Sequence, residues 1–189
     1  MIKIGVLGDI GSGKSFVAKK FGYPVFNADH EVHKIYKNDL RVFNKLKKIL
    51  PQHIYTFPIK KNEISKAILR DNRNLKRIVK VVHWEVRKKM KIFFNKNKRK
   101  KIVVLDIPLL LENKLVQKKD ILVFVHSKKK DILKRLKKRE GFNSKLIKIF
   151  KKIQLPLDYK KKKSHFIIKN DFTEKTVKKY VKNILRKIK

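Results

Sequence analysis

Gly8-Asp9-Ile10-Gly11-Ser12-Gly13-Lys14-Ser15 is the stretch on which the reading of this chain turns. It has the spacing G-x-x-x-x-G-K-[ST], and its flanks agree with it. Ile2–Leu7 is a short apolar run that stops at Gly8, as a buried parallel strand does, and Ser15–Phe21 carries Val17, Ala18 and Phe21 at helical spacing. Between a strand and a helix, the glycines let the main chain close around a compact anion, with N–H groups aimed inward at the positive end of the helix. The ligand such a loop takes is a nucleoside triphosphate, here ATP. Gly11, Ser12, Gly13 and Phe16 would contribute main-chain contacts, Lys14 would reach the β and γ phosphates, and the Ser15 hydroxyl would ligate Mg²⁺. The competing reading is a chance glycine turn, against which the matching strand and helix both count.

Outward from the loop, strand and helix signals alternate. Val25–Phe26 is a short strand leading into Asn27-Ala28-Asp29. Residues 30–100 lack strand signals and read as helices punctuated by Pro51 and Pro58. Ile102–Leu105 is a strand ending at Asp106, with Pro108 just beyond. Ile121–Val125 is another, followed by a helix through Leu133 and Leu136, and Phe166–Ile168 is the last. A terminal helix capped by Asp171 or Thr173 sets Val177, Tyr180, Val181, Ile184, Leu185 and Ile188 on one face. Alternation of this kind specifies an α/β domain with a parallel sheet flanked by helices. The Lys98–Lys101 and Lys160–Lys163 runs read as solvated edges.

Composition bounds the function classes. A chain of 189 residues with 42% apolar side chains builds one well-packed domain with room for an insertion. There is no cysteine, which excludes disulfides, thiolate metal sites and cysteine nucleophiles, and no stretch approaches a membrane span. A cytoplasmic protein is expected, monomeric or weakly self-associating. The formal charge of +39 raises a nucleic-acid reading. The excess is mostly lysine spread along the whole chain, in company with many Ile, Asn and Phe, and aromatics do not interleave with it as in single-strand binders. It reads as a solvated surface of the kind an AT-rich genome produces, with no specific nucleic-acid partner.

An Asn-Lys-x-Asp guanine-reading motif is absent, which argues against a GTPase. A small kinase needs a base, a carboxylate to support Mg²⁺ and arginines that close over the phosphates. Candidates lie beyond strand ends, where ligands of open α/β sheets bind. Asp29 follows the second strand and reads equally as a proton acceptor or as a helix N-cap for residues 30–36. Asp106 reads as the magnesium-supporting carboxylate or as a loop acid that ends its strand. Arg135 and Arg139 stand four apart on one face of a helix followed by Glu140-Gly141, either phosphate clamps or a solvated basic face. His33 and His83 are by themselves ordinary histidines.

The whole pattern resembles the dephospho-CoA kinase family. The resemblance rests on Ile4–Gly8 leading into the glycine loop, Asn27-Ala28-Asp29 with His33 four residues on, and Leu75 through His83. It continues in Asp106-Ile107-Pro108-Leu109-Leu110-Leu111-Glu112, Arg135-Leu136 with Arg139, Gln154-Leu155-Pro156 with Lys160, and Ile168 with Asn170. It implies transfer of the ATP γ-phosphate to the ribose 3′-hydroxyl of dephospho-CoA. Asp29 would be the base, with Lys14 and Arg139 beside it in catalysis, and His33, His83, Asp106, Pro108 and Leu109 would contact the acceptor. It further implies a core of residues 1–29, 101–136 and 157–189, a helical CoA-site insertion at about 30–100, and a helical lid at about 137–156. Asp9, Phe16, Asn27 and Phe150 depart from the family's usual residues. Two rival readings are a kinase for another nucleotide-like or shikimate-like acceptor and a basic nucleic-acid-binding ATPase.

Overall fold

The structure, a computed structural model, describes residues 1–188. Its sheet grows from the apolar runs. β1 (Ile2–Gly8), β2 (Val25–Asn27), β3 (Ile102–Asp106), β4 (Ile121–His126) and β5 (Phe166–Lys169) pair in the order β2-β3-β1-β4-β5. Every pairing is parallel. Parallel strands covered on both faces require continuous rather than alternating hydrophobicity. Accordingly Ile4, Val6 and Leu7 of β1 and every residue of β3 are buried. Each strand runs one residue further than its apolar run: Gly8 extends β1, and Asn27, Asp106, His126 and Lys169 continue the ladder in the others with polar side chains.

Contacts divide the chain into two compact units. The first comprises Met1–Asn27, Asn97–Phe142 and the described residues from Ile153 onward. It contains the sheet with α1 (Lys14–Lys20), α6 (Lys129–Lys137), α8 (Leu157–Lys162) and α9 (Glu174–Ile188). Its core joins Ile4, Val6, Val17, Ala18, Phe21, Val104, Val123 and Ile168 to Val177, Val181 and Ile184 of α9, with Tyr180, Leu185 and Ile188 packed against them. The face read from the sequence is therefore the buried one. Both proposed caps serve α9: Thr176 N–H donates to Thr173 Oγ1, and Asp171 Oδ1 accepts from the Thr173 N–H and hydroxyl.

The second unit comprises Ala28–Lys96 and Asn143–Lys152. Its helices are α2 (Ala28–Asn38), α3 (Leu40–Ile49), α4 (Lys61–Arg70), α5 (Arg73–Lys96) and α7 (Ser144–Lys152). The long α5 packs against α2, α3 and α4, and α4 also packs against α7. Asp39 caps α3 by accepting from Arg41 and Val42 N–H groups, and Phe43 meets Phe57 edge-tilted at 5.5 Å.

Lys160 departs from the solvated-edge reading. It is 1% exposed, and its Nζ lies 2.7 Å from Glu112 Oε1, which also accepts from the Leu155 N–H at 2.9 Å. The surrounding run has the opposite fate: Lys161, Lys162 and Lys163 are exposed. α8 packs on β1 and turns Lys160 inward, and burial of that ammonium is tolerated only because a carboxylate meets it.

Candidate active site

The phosphate loop connects β1 to α1, and its geometry follows from its glycines. Gly13 has φ +88°, a left-handed value, and a Cβ there would lie 2.5 Å from Asn170 Nδ2. Gly11, at φ +83°, leaves no room either, since a Cβ would press on Leu136 at 2.9 Å. Both backbone conformation and close packing therefore demand glycine at these positions. Asp9 folds back on the loop: its Oδ1 accepts from the Ile10 N–H at 2.7 Å and its carbonyl from the Ser12 N–H at 3.1 Å. Lys14 curls over the same turn, its Nζ donating to the carbonyls of Asp9 at 2.8 Å and Gly8 at 3.3 Å. Phe16, where a small polar residue is usual in the resemblance, packs its ring against the core beneath Lys20.

Asp106 ends β3, next to β1 in the sheet, and is 3% exposed. The Ser15 hydroxyl donates to its carboxylate, Asn27 Nδ2 donates to its Oδ2, and the Lys14 charge acts on it. Burial nevertheless dominates and raises the Asp106 carboxyl above its ordinary range, with Ser15, Lys14 and Asn27 pulling the other way. A buried carboxylate beside a hydroxyl at the start of α1 has the hard oxygen chemistry that suits Mg²⁺. The sign of its linkage is definite. An acid whose folded pKa lies above its unfolded value of about 3.9 contributes stability that is fully present below that value and is lost as pH rises through the folded pKa. Asp106→Asn is therefore expected to raise the Tm of the nucleotide-free protein near neutral pH, with the gain shrinking in melts at about pH 4. The same change should lower kcat by about a hundred-fold. A lower Tm at neutral pH would show that the carboxylate is held by partners stronger than its desolvation.

The remaining candidates fall in different places. Pro108 and Leu109 lie half-buried in the turn after β3, and Leu110 beside them is fully buried against Gly5. Asp29 and His33 lie on α2 and His83 on α5, all in the second unit. Asp29 is exposed and sits inside the first turn of α2, not before it, a position where negative charge is favourable but which is not the N-cap. His33 is exposed. His83 is half-buried, and its pKa is pushed below the ordinary histidine range by that burial and by the Arg87 charge.

The two arginines do not share a helical face. α6 ends at Lys137, the Arg139 N–H closes a tight turn onto the Leu136 carbonyl at 3.1 Å, and Gly141 at φ +69° reverses the chain. Ile132 and Leu136 anchor the helix but nothing apolar extends it, so Arg139 lies in an exposed turn. Arg135 remains on α6, and its guanidinium stacks 4.3 Å from the Phe172 ring centroid. Nothing in the sequence singles out Phe172 or Ser127. A lone Phe at φ +65° and a Ser at a strand end carry no pattern that marks them.

A parallel sheet with a glycine loop, lysine and serine between β1 and α1, and a buried carboxylate ending β3, defines a P-loop phosphotransferase. The family profile described as dephospho-CoA kinase matches residues 2–176. The chain is 36% identical over 187 residues to the dephospho-CoA kinase of Wolbachia pipientis, covering 96% of this chain and 95% of that protein. Among solved structures, one from Thermus thermophilus superposes with a TM-score of 0.75 at 25% identity, covering 100% of this chain and 98% of the other. The dephospho-CoA kinase of Campylobacter jejuni shares the fold with a TM-score of 0.63 at 21% identity, over 98% of this chain and 96% of that one. The chain belongs to the dephospho-CoA kinase family and is a kinase, with ATP as the phosphoryl donor that this family implies. Among the described residues no helix is long and apolar enough to cross a membrane.

Proposed function

We propose that this chain transfers the γ-phosphoryl group of ATP to the ribose 3′-hydroxyl of dephospho-CoA, releasing CoA and ADP. The observation that carries the reading is the Ser15–Asp106 pair beside the glycine loop, at the carboxyl ends of neighbouring strands. The relatives' activity supplies the acceptor. Main-chain N–H groups from Gly11 to Phe16 bind the phosphates, and Lys14 leaves the Asp9 and Gly8 carbonyls to balance charge on the transferring group. Ser15 and Asp106 would hold Mg²⁺, which when bound offsets negative charge on the phosphate oxygens.

Asp29 accepts the 3′-hydroxyl proton as the new ester bond forms. Its support is its position: it follows β2 at the carboxyl edge of the sheet, two residues beyond Asn27, and the family resemblance assigns it this role. Arg139 neutralises phosphate charge from its turn, and residues 137–156 act as the lid. The helices of residues 30–100 offer His33 and His83 to the acceptor, and Asp106, Pro108 and Leu109 are assigned acceptor contacts as well.

The test is a panel of hydroxyl acceptors offered with Mg²⁺-ATP. Turnover is expected with dephospho-CoA and not with shikimate or nucleoside monophosphates. Turnover of another acceptor beside none with dephospho-CoA would overturn the reading, and so would ATP hydrolysis that depends on added DNA or RNA.

A further inference from the structure

We propose that Asn170 and Ser127 are positioning residues that aim the phosphate loop by holding a single carbonyl, that of Ser12. The inference rests on the reading of Gly8–Ser15 as the ATP phosphate site. Ser12 is fully buried, so its carbonyl depends on protein donors. Two converge on it: Asn170 Nδ2 at 2.8 Å and Ser127 Oγ at 2.9 Å. Both donors are themselves buried, at 4% and 7% exposure, and both stand just past the carboxyl ends of neighbouring strands, β5 and β4.

The orientation of the Asn170 amide is determined by its surroundings. Its Oδ1 accepts from the Phe172 N–H at 2.9 Å, which a nitrogen there could not do, so the NH₂ group must face Ser12. Its backbone is anchored as well, the Asn170 N–H donating to the His126 carbonyl at 2.7 Å. The donors are thus fixed to the sheet and not to the loop.

The consequence follows from peptide geometry. In a planar trans peptide the carbonyl and the next N–H point in opposite directions. Holding the Ser12 oxygen toward Asn170 and Ser127 therefore turns the Gly13 N–H the other way, toward the concave side of the loop where an anion is bound. The Asn170 amide also abuts Gly13, whose absent Cβ would lie 2.5 Å from Nδ2, so the same contact that sets the peptide plane excludes a side chain there. No substrate atom need touch Asn170 or Ser127 for this to act on ATP affinity.

The experiment compares Asn170→Asp and Ser127→Ala with the natural protein. Asn170→Asp keeps the acceptor for Phe172 but replaces the donor with an oxygen facing the Ser12 carbonyl. Affinity for the fluorescent nucleotide mant-ADP is measured first, since it reads the loop without any acceptor, and KM for ATP and for dephospho-CoA follow. Asn170→Asp should weaken mant-ADP binding and raise KM for ATP by about ten-fold, and Ser127→Ala by about five-fold, as loss of one buried hydrogen bond implies. KM for dephospho-CoA should stay within about two-fold of its original value, a split that loss of packing alone would not produce. Unchanged nucleotide affinity in both variants would overturn the proposal, as would a parallel rise in both KM values with a fallen Tm. If Asn170→Asp does not fold, Ser127→Ala decides alone. Failure of the natural protein to phosphorylate dephospho-CoA would count against the acceptor reading and leave the mant-ADP comparison intact.

Discussion

Lys14→Ala is expected to lower kcat by about a thousand-fold or more while leaving the fold in place. The side chain is half-buried, and its Nζ donates to two loop carbonyls, those of Asp9 and Gly8. Triphosphate oxygens, being charged, outcompete these neutral carbonyls for the ammonium. Its removal takes a full positive charge from the place where negative charge is redistributed during transfer. Far-ultraviolet circular dichroism should be unchanged, and steady-state kinetics with dephospho-CoA measures the loss. Residual turnover within about ten-fold of the original would mean that another cation carries this charge.

Asp29→Asn is the second large effect. Proton acceptance by a positioned carboxylate contributes about a hundred- to ten-thousand-fold, and kcat should fall by an amount in that range. ATP affinity should move little, because phosphate binding in this reading belongs to the loop and Lys14. The substitution also separates the role from a structural one. In the first turn Asn gives up only the favourable interaction of a carboxylate with the helix dipole, so a residue serving only α2 would lose a little stability with kcat intact. A proportional loss of ATP binding would point instead to a residue that organises the start of α2.

The sheet and its glycine loop were legible because they rest on strong, local signals. A continuous apolar run ending in glycine permits few structures, and the loop motif is confirmed by what flanks it. The ends of elements were harder. Arg135 and Arg139 have helical spacing, yet spacing says nothing about where a helix stops; Gly141, two residues past Arg139, was the available sign. Lys160 was hidden differently. Four consecutive lysines in a chain with 54 basic residues look solvated, and only the burial of Glu112 after an apolar turn distinguishes one of them. Charge partners far apart in sequence leave no periodicity to read. Ser127 illustrates the limit: one hydroxyl donated to one main-chain oxygen 115 residues away in sequence has no local signature.

The helical unit has a consequence for recombination of this chain with a relative. The chain enters it at Ala28, leaves after Lys96, and returns for Asn143–Lys152 alone. It is therefore not a cassette. A graft of residues 28–96 from a relative would bring a foreign α4 to meet the resident α7, because those two helices pack together while lying about eighty residues apart. Recombination at a single pair of breakpoints would break that contact, whereas paired exchange of both segments would preserve it.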